Sequence, residues 1–212
     1  MLRAAVEDLS WLEGRGYAEA AALELVGDHY QLRNRQRMAV QRCAAAPAAV
    51  ADRRRRRLDP QRCAGRPVAV DGFNLVITVE SALSGAVLLE GADGCLRDLA
   101  SVWGSYRTIE ETRTALGRVI SVLESHRVER VDWYLDRPVS NSGRLKTMLA
   151  ELLPTGNRWR IELVDDADPA VAAVDGVAAS SDSWVLDHCG AWVNLAAAVV
   201  ETIPDAWVVK LG

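Results

Sequence analysis

The chain holds 212 residues, 50% of them hydrophobic and 25% charged, with a net charge of −4. This is ordinary globular composition, and the length suits one sizeable domain beside a smaller one. No apolar run is long enough to cross a bilayer, and Met1–Asp8 carries acids where a secretory leader needs its apolar core, so the expectation is a cytoplasmic protein with no membrane contact.

In chain order, Val6, Leu9, Trp11 and Leu12 form a helical stripe that Gly14-Arg15-Gly16 ends. Tyr17 to Val26 is rich in Ala and Leu and stops near Gly27-Asp28. Arg33 to Cys43 is a third helical stretch, with Arg33 and Arg37 on its polar surface. Residues 1–45 therefore read as a helical module. Residues 46–66 contain alanines, two prolines and the run Arg53 to Arg57, a linker or an exposed basic helix. Between Arg33 and Arg66 stand eleven Arg and two Asp, a local charge of +9 that leaves −13 for the rest. A basic arm on an acidic body suits a polyanion held by one part and worked on by the other; a solvated linker is the ordinary alternative. The cysteines Cys43, Cys63, Cys95 and Cys189 form no CxxC pair, so they read as buried reduced thiols.

From Pro67 the pattern changes to strands alternating with helices. Val68–Val70 is a buried strand, followed by a sharp turn at Gly72 and a helix over Asn74–Leu83. Ala86–Leu89 is a short strand or hairpin arm before an Asp93-Gly94 turn. Helices are expected over Leu96–Tyr106 and Glu110–His126, a strand over Val131–Leu135, and a helix over Arg144–Leu153. A strand over Arg160–Val164, a helix from Asp168-Pro169 to Val174 and a strand over Gly176–Ser180 follow. A helix over Trp192–Val200 and a strand over Ala206–Lys210 end the series, with Trp133 and Trp207 in the core. Trp103 and Tyr106 are candidates to stack a base, or ordinary core aromatics. Such alternation predicts an α/β fold with a parallel three-layer sheet over residues 67–212.

Asp71, Asp136, the Asp165-Asp166 pair and Asp182 each sit just past the carboxyl end of an expected strand. In a parallel sheet those ends share one edge, where open α/β sheets bind ligands. Crowded carboxylates raise one another's pKa, and divalent cations relieve the repulsion. Oxygen donors suit Mg²⁺ or Mn²⁺, and one or two such ions can promote phosphodiester cleavage. The competing role for each Asp is to cap the helix that follows.

Val68-Ala69-Val70-Asp71-Gly72-Phe73-Asn74, the strand ending in Asp136, and Val177-Ala178-Ala179-Ser180-Ser181-Asp182-Ser183 resemble the PIN and NYN nuclease-like domains. The chain as a whole is more similar to an uncharacterised prokaryotic family with a helical N-terminal module and a PIN-like C-terminal half. The similar phrases are Leu25-Val26-Gly27-Asp28, Arg35-Gln36-Arg37, Asp71-Gly72-Phe73-Asn74 and Pro138-Val139-Ser140-Asn141-Ser142-Gly143. The resemblance implies a PIN-like three-layer parallel sheet preceded by a small Arg-rich helical module. It implies Mg²⁺ or Mn²⁺ held by Asp71, Asp136, Asp182 and one of Asp165 or Asp166, with Asp168 in the same turn. A helical acid among Glu80, Asp98 and Glu111 would join them. It further implies RNA as substrate and metal-dependent hydrolysis of its phosphodiester.

Within that reading Asn74 and Ser181 orient ligands or phosphate. Arg33, Arg35, Arg37 and the following arginines hold the RNA backbone, so binding weakens as salt rises. Ser140-Asn141-Ser142-Gly143 precedes a helix carrying Arg144 and Lys146, a set suited to a phosphate site at a helix N-terminus or to an ordinary turn and cap. Three rivals stay open: a PIN-like RNA-binding or assembly protein without catalysis, a phosphohydrolase of a small substrate, and the toxin of a toxin–antitoxin pair, which the long N-terminal module disfavours because such toxins resemble a bare PIN domain. A basic track into the acidic edge would mark a polymer, and a bounded pocket a small molecule. The oligomeric state is open, a homodimer included.

Overall fold

The computed structural model describes residues 1–100, 106–107 and 110–212. The chain opens with helices α1 (Leu2–Gly14), α2 (Glu19–His29), α3 (Asn34–Cys43) and α4 (Pro47–Arg56). In α1, Ala5, Val6 and Leu9 are buried at helical spacing. They pack with Val26 and Val40, and the same cluster takes in Leu89 and Leu211 from far along the chain. The helical module therefore shares its core with the second half.

The arginine run is part of the folded body. Pro47, whose missing N–H costs nothing in a first turn, starts α4, and Arg53 within it is only 3% exposed. Arg57-Leu58 then forms a short strand, β1, that joins the main sheet.

The main sheet is completed by β2 (Pro67–Asp71), β5 (Arg130–Asp136), β6 (Trp159–Val164), β7 (Val177–Ala179) and β8 (Trp192–Val193). Its six strands are parallel, in the order β1-β8-β7-β2-β5-β6. Val68, Ala69 and Val70 are wholly buried because helices cover both faces. Val68 and Val70 point to the face covered by α5 (Gly72–Leu83), α6 (Glu111–Ser125), α7 (Ser142–Leu152) and α10 (Leu195–Val200). Ala69 points to the other face, covered by α8 (Ala167–Ala172) and α9 (Ser183–His188). This alternation is the two-residue period of a strand.

Three sequence expectations are corrected. Leu96-Arg97 is not the start of a helix: Gly94, at φ 76°, turns the chain so that β4 (Leu96–Arg97) pairs antiparallel with β3 (Leu88–Glu90). Residues 101–105 of that expected helix, Trp103 among them, lie outside the described residues. Trp192-Val193 is a strand, and the helix begins only after Asn194 accepts the Ala197 N–H at 3.2 Å. The last strand, β9 (Val208–Lys210), pairs with β3 in a second three-stranded sheet, which leaves Trp207 at its start 60% exposed. Trp133, in contrast, is wholly buried in the main sheet.

The chain lays down β2, β5 and β6 outward in one direction, then returns to place β7 and β8 on the other side of β2. Connections diverge between β2 and β7. A crevice opens beyond their carboxyl ends, where such sheets bind ligands.

Candidate functional site

Asp71 stands at the end of β2 beside that crevice. Its Oδ1 accepts the Asn74 N–H at 3.4 Å, capping α5, and its Oδ2 accepts the Ser180 hydroxyl at 2.7 Å. Gly72 is required by close packing and not by a positive φ: a Cβ there would lie 2.4 Å from Leu135 Cδ2 and 2.9 Å from the Tyr134 carbonyl. The helix thus sits hard against β5 and sinks Asp71 to 4% exposure. Burial pushes the Asp71 carboxyl up to about 8; the Ser180 bond opposes the shift, and the charges of Asp168, Asp182 and Asp136 add to it.

The other acids arrive from three further segments. Asp182 follows β7 and caps α9 by accepting the Trp184 and Val185 N–H groups at 2.8 and 3.2 Å. Asp136 ends β5 and accepts the Ala167 N–H at 2.9 Å, tying down the start of α8. Asp168 lies in the first turn of α8, pushed up to about 6 by burial first and then by Asp182, Asp166 and Asp136. Capping and clustering therefore coexist in the same carboxylates.

Asp165 does not join the cluster, and Asp166 touches it only through its charge on Asp168. Asp165 has a side chain 85% exposed and pairs with Arg137 at 3.0 Å. Asp166 is exposed and accepts the Asp168 N–H at 3.2 Å. The reason is topological. Strand β6 is the edge strand, separated from β2 by β5, so its end is remote from the crevice. Helix α8 crosses back over β5, β2 and β7, and its first turn carries Asp168 to the edge instead. The sequence signal was the Asp168-Pro169 helix start.

Asn74 and Ser181 join the two central strand ends: Asn74 Oδ1 accepts the Ser181 N–H at 2.9 Å and its hydroxyl at 2.8 Å. The Ser140–Ser142 loop does not reach them. Ser140 and Asn141 donate to the Tyr106 carbonyl at 3.3 and 2.7 Å, and Ser142 donates to the Arg137 carbonyl at 3.2 Å. Asn141, at φ 65°, closes a turn, and Arg144 is exposed beyond it. Tyr106 is buried edge-to-face against Phe73 at 5.2 Å, and its hydroxyl donates to Glu80 at 2.5 Å, so it is a core aromatic. Glu80, raised chiefly by burial, also accepts the Thr112 hydroxyl inside the core. Glu111 adds to the Glu80 shift by its charge. Among the candidate helical acids only Asp98 lines a cavity with Asn74, Ser181 and Asp182, and it accepts the Thr78 hydroxyl at 3.3 Å.

Five of the eleven arginines between Arg33 and Arg66 are engaged internally. Arg37 donates to the Leu32 and Glu24 carbonyls at 3.1 and 3.3 Å and to Asp28 at 2.5 Å. Arg42 reaches Asp98 at 3.4 Å and the Ala100 carbonyl at 3.2 Å. Arg53 meets Asp93 at 2.7 Å and both oxygens of Asp187 at 2.7 Å. Arg55 and Arg56 pair with Asp52. Arg33 and Arg35 are exposed.

Among the described residues, no group of three or more His, Cys, Asp or Glu side chains is arranged to hold a metal ion, and no helix is long and apolar enough to cross a membrane. A family model described as a domain of unknown function (DUF5616) matches residues 60–198, and one described as a protein of unknown function (DUF434) matches residues 1–56. Uncharacterized protein MJ0935 of Methanocaldococcus jannaschii is 29% identical over 147 residues, 69% of this chain and 70% of that protein. No solved structure matches.

Proposed function

The chain belongs to the family described as a domain of unknown function (DUF5616), and for it we propose a PIN-like, Mg²⁺- or Mn²⁺-dependent hydrolysis of RNA phosphodiesters. The reading rests on one observation. Asp71, Asp136, Asp168 and Asp182 come from four segments where the strand order reverses; Asp71 and Asp168 are raised by burial first and then by the neighbouring carboxylates, Asp136 and Asp182 among them.

The donor set suits a hard cation, since it is built of carboxylates with the oxygens of Asn74 and Ser181 nearby. The lack of a three-ligand group among the described residues speaks against a cage made only of protein. Mg²⁺ commonly keeps several waters and takes one or two carboxylates together with substrate phosphate. Asp71 and Asp182 would hold it, with Asp136 and Asp168 beside them. When bound, the cation would offset the cluster's charge and polarise the scissile phosphodiester.

The chain's own residues have separate tasks. Asp71, titrating near 8, keeps its proton at neutral pH until positive charge arrives. Asp168, titrating near 6, is ionised at neutral pH yet basic enough to take a proton from the attacking water. Asn74 holds the Ser181 loop against the end of β2.

Calorimetric titration with Mn²⁺ of the wild type and of Asp71→Asn with Asp182→Asn tests the reading. Binding lost in the double variant, followed by RNA cleavage lost in Asp168→Asn, supports it. A wild type that takes up no Mn²⁺ sinks it.

A further inference from the structure

A cavity of about 480 Å³ lies between the helical module and the acidic edge. Asn74, Ser181 and Asp182 form one wall, and Glu19, Gln41 and Arg42 the other. The size falls within the range of single small-ligand sites.

The wall that carries Ser181 and Asp182 is fixed by a buried network. Arg53 and Arg97 share Asp93, each with a contact at 2.7 Å, and the Asp93 side chain is 1% exposed. Arg97 also donates to the Ser181 carbonyl at 3.0 Å, and Arg53 to the Ser183 carbonyl at 3.3 Å. Helix α4 and the loop that carries Asp182 are thus locked together, and Arg42 ties the helical wall to Asp98 at 3.4 Å and to the Ala100 carbonyl at 3.2 Å.

The lining chemistry selects the ligand. Glu19, Asp98 and Asp182 outnumber Arg42 and Arg97 on the lining, so it offers no net positive charge to a long polyanion. Five of the eleven arginines between Arg33 and Arg66, Arg42 at the cavity among them, are held on Asp28, Asp52, Asp93, Asp98 and Asp187. Gln41 is oriented by its bond to Glu19 at 2.7 Å, and Ile77 offers apolar surface nearby. Amides beside an aliphatic side chain suit the edge and face of one nucleobase.

Resting on the hydrolase reading above, we infer that the site takes one nucleotide unit at a time. A dinucleotide, or the end of a single strand, enters the cavity with its phosphodiester at Asp182, the one strand-end acid on the lining; an internal stretch of a long strand does not. In the hydrolysis the water oxygen bonds to phosphorus and the ester P–O bond breaks. One water proton, taken up by Asp168, passes to the departing ester oxygen, which leaves as a hydroxyl, and the other stays on the new phosphate.

The test uses the full chain with Mn²⁺ and three RNAs: a dinucleotide, a linear single strand, and the same strand circularised. The dinucleotide and the linear strand should be cleaved, and the circle roughly tenfold more slowly or not at all. Ile77→Trp, which fills the cavity, should raise KM for the dinucleotide roughly tenfold or more while Mn²⁺ binding persists. Gln41→Trp does the same from the opposite wall and guards against a packing defect in α5. Cleavage of the circle at the linear rate, or unchanged KM in both variants, overturns the inference. A dinucleotide phosphorothioate, titrated by calorimetry, separates this inference from the reading beneath it. Binding that both Trp variants abolish, with no RNA cleaved, keeps the pocket and removes the hydrolase reading. No binding to the wild type removes the pocket, whatever the Mn²⁺ result.

Discussion

Asp71→Asn isolates the electrostatic cost of the acidic edge. The amide oxygen can still accept the Asn74 N–H, and its nitrogen can donate to the Ser180 hydroxyl, so the cap survives. What disappears is the titration. The folded carboxyl titrates near 8 and its reference value is 3.8. Between those values the folded chain holds a proton that the unfolded chain has released, so stability falls as pH rises through the folded value. The slope is about 1.4 kcal/mol per pH unit for one group. Asp168, titrating near 6, has lost most of its own contribution below that pH. Between about pH 6 and pH 8 the wild type should therefore lose up to about 2.7 kcal/mol more than the variant. Urea denaturation of both proteins, with chelator present, reads the difference directly. The two curves should diverge steadily over this window and run parallel above it. Curves parallel throughout would mean that Asp71 is already ionised at neutral pH, and the clustering argument would fail.

Three further outcomes follow from the same geometry. Mn²⁺ binding at neutral pH should release close to one proton, seen as a buffer-dependent calorimetric enthalpy, and the release should fade in Asp71→Asn and above the Asp71 titration near 8. Arg53→Met keeps the stem but strips the guanidinium from Asp93 and Asp187, so thermal or urea unfolding should show a loss of about 3–5 kcal/mol. Arg53→Lys should recover only part of it, because one ammonium cannot span both carboxylates. Gly27→Ala would put a methyl 2.1 Å from Arg37 Nη1, pushing the guanidinium off Asp28 and the Glu24 carbonyl, with a cost of about 1–3 kcal/mol by denaturation. Adding Gly27→Ala to Arg37→Ala should cost little more than Arg37→Ala alone.

The parallel sheet was legible because buried runs such as Val68–Val70 and turn residues such as Gly94 act over a few positions. The same locality placed Asp71, Asp136 and Asp182 on one edge, since strand direction alone carries every strand end there. Asp165 was misjudged because nothing local to it reveals that β6 lies at the sheet's border. Helix α9 was missed because six residues give too little periodicity to stand out. Strand β1, two residues long, leaves no pattern at all and exists only through its pairing with β8.

The arginines show a deeper limit. A charge count registers Arg53 as one of five like neighbours, yet its partners Asp93 and Asp187 are 40 and 134 residues away. Composition measures charge before pairing, whereas recognition of a polyanion depends on the charge left over once the fold has made its pairs. Here the pairing also assigns the helices a place at the site. Arg53 belongs to the segment matched as DUF434, and its carboxylate partners belong to the segment matched as DUF5616. Leu89 and Leu211 fill the core of the first segment from outside it. The Asp182 loop is therefore set by contacts from both matched segments: Arg53 of the first on the Ser183 carbonyl, and Asn74 and Arg97 of the second on Ser181.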